Sequence, residues 1–116
     1  MTKTVDKPWG HELIWAHTDR YVGKILHVKQ GESLSLQYHR QKDETIMVLR
    51  GVLRFEFFRD GEPPQQRELL PHEPFHITPG LRHRMTAIED CDIVEVSTPE
   101  LDDVVRLEDR YGRAGT

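Results

Sequence analysis

Short apolar-alternating segments, each cut off by turn residues after about 8 to 12 positions, constrain this chain more than any other feature. VGKILHVK at 22–29, ETIMVLR at 44–50, VLRFEFF at 52–58, PFHIT at 74–78, HRMTAI at 83–88 and DIVEVS at 92–97 each read as a strand, as do the shorter HELIW and QRELL. No helical period of useful length occurs before residue 98. The expectation is an all-β sandwich or barrel in a single domain spanning residues 1–116. In VLRFEFF the alternation puts Leu53, Phe55 and Phe57 on one face, and in VGKILHVK it puts Lys24, Leu26 and Val28 together. RDGEPP at 59–64 is the clearest loop. Residues 1–10, polar and ending in Pro-Trp-Gly, read as an irregular arm. Thr98 followed by Pro99 reads as a helix N-cap with proline at the first helical position, and Leu101, Val104 and Val105 then share a face, so a short C-terminal helix ending near Gly112 is expected.

Composition bounds the function. With 36% hydrophobic and 31% charged residues the chain is of globular type, and 116 residues suffice for one core. The net charge of -4 carries no basic block, so a nucleic-acid partner is not expected. No apolar run approaches the roughly 20 residues of a membrane helix. The N-terminus lacks a signal peptide's apolar core, and the single cysteine, Cys91, cannot close an internal disulfide. A cytoplasmic location is expected. GxxxxGK[ST], GxGxxG and GxSxG patterns are all missing, which removes phosphate-loop, dinucleotide-fold and serine-hydrolase chemistry. Cys91, in EDCD, has no neighbouring cation to make it a thiolate nucleophile.

The chemistry concentrates in GESLSLQYHRQKDETIMVLRG at 31–51. Gln37 and His39, two apart at a strand end, point the same way. Glu44 follows the turn Arg40–Asp43 at the start of a return strand and can face them. Downstream, after the Pro79-Gly80 turn, His83 can close the set if the two halves of the domain are facing hairpins. Two imidazoles, a carboxylate and an amide suit one divalent metal, whether zinc, manganese, iron, cobalt or nickel. His11, His17, His27 and His72 read as surface or core-edge residues. His76, close to the second motif, is ambiguous. Trp9 reads as a core anchor or as an aromatic wall for a sugar. Lys24 reads as a surface lysine or as a cation in the pocket.

The spacing Gly31, Gln37, His39, Glu44, Gly51 resembles the first motif of the cupin superfamily, with Gln at the usual first His. Pro79, Gly80 and His83 resemble the second motif, whose leading glycine position holds His72. KPWG at 7–10, VGKILHVKQGESLSLQYH at 22–39 and VVRLEDRYGR at 104–113 resemble the C-terminal cupin domain of type II mannose-6-phosphate isomerases, a domain often fused to a mannose-1-phosphate guanylyltransferase. The resemblance implies a double-stranded β-helix, or jelly-roll barrel. It implies aldose–ketose isomerisation of a sugar phosphate at a metal, with Arg106 essential to the active site and Asp109, Tyr111 and Arg113 as its neighbours. Where that family commonly has HHHRAEHW after the Gln, this chain has HRQKDET, which keeps His39 and Glu44. His76 or a metal-bound water is the expected proton carrier, and Arg106, Lys24 and Arg113 the expected phosphate cations. A non-catalytic sugar-binding cupin is the alternative, and a metal-dependent dioxygenase stands third. Pairing of exposed strand edges across a two-fold axis predicts a homodimer.

Overall fold

In the computed structural model, which describes residues 2–115, alternation becomes two facing antiparallel sheets. The first sheet is ordered β1-β2-β3-β10-β5-β8. Its strands are β1 (Lys3–Lys7), β2 (Gly10–His17), β3 (Val22–Val28), β10 (Cys91–Ser97), β5 (Glu44–Arg50) and β8 (Pro74–Ile77). The second is ordered β11-β4-β9-β6-β7, from β11 (Val105–Glu108), β4 (Leu36–Tyr38), β9 (Arg82–Ala87), β6 (Leu53–Phe58) and β7 (Gln65–Leu69). This is the jelly-roll barrel the motifs imply. Among the described residues there is no helix, and so none long and apolar enough to cross a membrane.

The core fills the closed end of the barrel. Leu53, Phe55 and Phe57 of β6 are fully buried, as their alternation requires, and Phe75 packs on Phe55 with ring centroids 4.3 Å apart. Facing them from the first sheet are Val28, Ile46, Val48 and Ile93, all without exposed surface. Phe55 also stacks against the ring of His83, centroids 5.8 Å apart, so the apolar core abuts the polar site directly. Two glycines are sterically required. A Cβ on Gly10 would stand 1.9 Å from the carbonyl oxygen of His27, and one on Gly51 would stand 2.1 Å from that of Asp90. His72, at the leading glycine position of the second motif, has φ 73°, the left-handed conformation that glycine adopts freely.

Two expectations are corrected. The N-terminal arm is not irregular: residues 3–7 form β1, paired antiparallel with β2 from Lys3↔Ile14 to Lys7↔Gly10. The C-terminal segment is not a helix. Thr98 Oγ1 does not cap it but accepts from the backbone N–H of Asp43 at 3.0 Å. Asp103 turns back over the 40–42 turn, and the chain then enters β11, which pairs with β4. Contacts more than fifty residues away in sequence thus take the groups that a local helix would have used.

Candidate metal and ligand site

Gln37, His83 and Arg106 lie in one row across the second sheet, since Gln37 on β4 is directly opposite His83 on β9 and Arg106 on β11. His39 follows at the end of β4. Its backbone carbonyl accepts from Gly80 N–H at 2.7 Å, which ties the first motif to the Pro79-Gly80 turn preceding His83. Glu44, the first residue of β5, faces the row from the opposite sheet.

These residues make a buried donor cluster. One ligand atom from each of His39, Glu44 and His83 lies within 4.8 Å of the others. His39 Nε2 is 3.5 Å and His83 Nε2 4.0 Å from the Glu44 carboxylate, with all three side chains at most 3% exposed. The tautomers are fixed from behind: His39 Nδ1–H donates to the carbonyl of Asp103 at 2.6 Å, and His83 Nδ1–H to that of Leu81 at 2.9 Å. Both Nε2 lone pairs therefore face the carboxylate and, like Glu44 Oε2, have no hydrogen-bond partner. Buried polar atoms are seldom left so, and imidazoles anchored through the far nitrogen are the usual arrangement around a metal. The donor set fits a divalent ion. Gln37 lies beside it, with its amide oxygen already accepting from Ser35 Oγ at 2.6 Å and one lone pair left.

The electrostatics agree. Burial alone would raise the proton affinity of Glu44, but the His39 ring, the Lys42 ammonium and the His83 ring outweigh it and hold the carboxyl at about 2. Burial pushes His83 below the ordinary imidazole value. Both groups are thus in the deprotonated form that ligation requires.

Lys42 and Glu95 extend the cluster and were missed by sequence reasoning. Lys42 Nζ stands 2.9 Å from Glu44 Oε2, outside hydrogen-bond angles, and 3.0 Å from Glu95 Oε2. Burial would lower the lysine, but Glu95 and Glu44 overcome it and hold it raised. Burial, with the charge of Glu44 behind it, raises Glu95. Signals for both existed. Glu95 falls on the inward face of β10 with Ile93 and Ser97, a place where alternation calls for an apolar residue, and Lys42 stands where the HHHRAEHW pattern has its arginine.

Above the cluster opens a cavity of about 300 Å³ between the sheets. Its lining includes Gln37, His39, Glu44, Lys24, Trp9, Arg106 and Arg113, so the predicted residues from three separate stretches do converge. Trp9 is a core residue, 2% exposed in the core cluster, and it also lines the cavity. Lys24 is not a surface residue; it is 6% exposed and pairs with Glu12 at 3.3 Å. Arg113 forks onto the buried carboxylate of Asp109 at 2.9 and 3.0 Å. Burial and the nearby Arg113 guanidinium push Arg106 down.

His76 is the exception. It lies on the outward face of β8, opposite Thr45 rather than Glu44, is largely exposed, and bonds to Asp43 at 2.6 Å. It does not line the cavity, because Phe75 and Ile77 take the inward positions of that strand. Cys91 is inert as expected: burial pushes its thiol up to about 11, and it donates to the carbonyls of Val52 and Glu89.

Comparison with known proteins follows the same line. A family model described as mannose-6-phosphate isomerase C-terminal matches residues 1–109. The chain is 36% identical to the mannose-1-phosphate guanylyltransferase ManC of Salmonella typhimurium, across 97% of this chain and 24% of that protein. To the xanthan biosynthesis protein XanB of Xanthomonas campestris it is 31% identical, across 96% and 24%. The chain thus spans about a quarter of the length of these curated relatives. Among solved structures, KdgF from Halomonas superposes with a TM-score of 0.73 at 23% identity, covering 86% of this chain and 90% of that one. Oxalate decarboxylase from Bacillus subtilis superposes with a TM-score of 0.78 at 13% identity, covering 91% and 30%. These structural likenesses establish the fold alone.

Proposed function

The chain belongs to the mannose-6-phosphate isomerase C-terminal family, and from that premise we propose that it is a metal-dependent aldose–ketose isomerase acting on a sugar phosphate. The observation that carries this reading is the buried set His39, Glu44 and His83, its two imidazoles aimed by backbone carbonyls, at the floor of a cavity with Arg106 in its wall. A divalent ion held by these three, with Gln37 beside them, would supply Lewis-acid polarisation of the sugar's carbonyl and hydroxyl oxygens.

The remaining steps fall to the chain's own groups. Isomerisation moves a proton between two adjacent carbons, which needs one base within reach of both. Glu44 is occupied in the donor set and His76 faces away, so Glu95, inward and adjacent to Lys42, takes that role. Its raised proton affinity suits a group that accepts a proton and returns it. The Lys42 ammonium steadies negative charge on either carboxylate. Trp9 offers a flat face to the sugar ring, and Arg106 gives a planar grip on an anionic substituent. Buried side chains below the cavity keep water from the reacting carbons.

A second reading, a sugar-binding domain without turnover, draws on the same Lys42: an ammonium that binds both carboxylates so closely lowers their basicity. Turnover assays with mannose 6-phosphate, fructose 6-phosphate and related phosphosugars, with and without added divalent metal, separate the two. The isomerase reading expects metal-dependent turnover that Arg106→Ala abolishes while fold and metal content stay intact. Binding of a phosphosugar by metal-loaded protein without isomerisation replaces it with the second reading. Oxygen uptake with bound iron would instead indicate an oxygenase.

A further inference from the structure

The outward side of the first sheet is apolar where a sheet facing water would be polar. Core and cavity fix the inward positions of its four central strands: Glu12 and Ile14 on β2, Lys24 and Leu26 on β3, Glu44 and Ile46 on β5, Ile93 and Glu95 on β10. The residues between them point outward. Leu13, Ile25, Val94 and Met47 are successive partners across β2, β3, β10 and β5, and so form one unbroken apolar row. The next row holds Gly23, Val96 and Thr45, with the Trp15 ring against Gly23, where a Cβ would stand 2.5 Å from it. Trp15 is 45% and Val96 48% exposed.

Charge on these four strands follows the opposite rule. Glu12, Lys24, Glu44 and Glu95 all lie inside, and no lysine or glutamate points outward. The outward charges are confined to a third row at the rim, where Asp92 is matched by His27 at 2.7 Å and by Arg50 at 2.6 Å. Trp and Met present with Lys and Glu missing is the composition of an interface core.

Size, twist and charge together name the occupant. Six strands at about 4.8 Å spacing and about seven residues of strand make a face of roughly 24 by 23 Å, on the order of the ~800 Å² that each partner buries in a stable complex. Two copies of one sheet carry the same twist, so they can lie face to face at the aligned angle at which sandwich sheets pack. The central rows are uncharged, so a two-fold axis through them brings no like charges together. A lipid surface or an acidic polymer would call for basic side chains here, and the one outward arginine of these strands, Arg50, is taken by Asp92.

We propose that the outer face of the first sheet is a homodimer interface, in which Leu13, Trp15, Ile25, Met47, Val94 and Val96 pack against their counterparts in a second copy of this chain. The proposal is independent of the isomerase reading. Strands β5 and β10, whose inward sides carry Glu44 and Glu95, are then covered on both faces. Open edges at β7 and β8 offer a different two-fold contact with the same mass, and substitutions separate the two.

The test is sedimentation velocity of the full chain over a dilution series, paired with iodide quenching of tryptophan fluorescence. The parent should sediment as a dimer that dissociates on dilution, and Trp15 should open to iodide over the same range while buried Trp9 stays shielded. Val96→Lys enters a two-fold interface twice and should weaken association about a hundredfold, with the circular dichroism of the folded chain kept because the position is exposed in the single chain. Leu70→Lys, exposed just after β7 and outside the face, should leave the dimer intact. A parent that is monomeric at every concentration overturns the proposal. So does a dimer that Val96→Lys leaves intact, one in which iodide still reaches Trp15, or one that Leu70→Lys dissociates. The quenching of the parent requires no variant, so it decides the question even where Val96→Lys fails to fold.

Discussion

Lys42→Met tests whether the ion cluster beside the donor set is held together as described. Methionine keeps most of the stem and deletes the charge. The Lys42 side chain is 6% exposed, and the carboxylates it serves are 2% exposed for Glu44 and 5% for Glu95. Removing one partner from a buried pair costs about 3–5 kcal/mol, because the group left behind has neither water nor counter-ion. The loss falls on both carboxylates, which share this one ammonium. Against a total stability of about 5–15 kcal/mol the variant should fold, with a Tm lower by about 10–20 °C. The deficit has a pH signature. Glu95 has its folded value raised above the ordinary 4.5, so its contribution is intact below 4.5 and is lost as pH rises through the folded value; removing Lys42 enlarges that loss. Glu44, held at about 2, behaves oppositely, its contribution being present above 4.5 and lost as pH falls toward 2. Thermal and urea unfolding of chelator-treated protein should therefore show the Lys42→Met deficit growing as the pH rises above the ordinary glutamate value of 4.5. Adding Glu95→Gln should recover much of it by removing the stranded charge. A Lys42→Met variant within about 1 kcal/mol of the parent near neutral pH, or a double variant no more stable than the single, would refute the reasoning.

Divalent metal at about 100 times its dissociation constant should stabilise chelator-treated protein by about 2.7 kcal/mol, read as a rise in Tm, and His39→Ala/His83→Ala should abolish the rise; an undiminished rise in that double variant counts against the donor set. His72→Gly should be about 1 kcal/mol more stable than His72→Ala by chemical denaturation, reversing the usual order of the two residues, because φ is 73° there; equal stabilities would contradict a strained backbone. Open sheet edges at β7 and β8 lead us to expect a two-fold dimer, and light scattering at micromolar concentration should return twice the chain mass; a clean monomer removes it.

What was legible in the sequence follows the reach of each signal. Strict alternation grouped the inward residues of β3 and β6, because a strand buried on one face has only one register that works. The ligand spacing placed His39 and Glu44, since a strand, a turn and a strand bring them together locally. β1 escaped notice because KTVDK has no apolar alternation: its inward side meets a charged cavity rather than the core. Helix signals after residue 98 were real in local terms and lost to partners at 40–43 that no local window contains. His76 was judged by nearness in sequence, whereas the parity of β8, with Phe75 and Ile77 inward, already turned it outward. Glu95 is the instructive miss, for a glutamate on an apolar face predicts a buried cation, and Lys42 was available to be that partner.

The central claim, that this cavity moves a proton between adjacent carbons of a phosphosugar under the control of His39, Glu44 and His83, is tested most directly by deuterium exchange. Metal-loaded protein is incubated with mannose 6-phosphate in heavy water and the sugar is followed by proton NMR. The account predicts loss of the C2 proton signal together with appearance of fructose 6-phosphate, both dependent on added metal and both lost in His39→Ala/His83→Ala. Mannose 6-phosphate that keeps its C2 proton in the presence of folded, metal-loaded protein would contradict it.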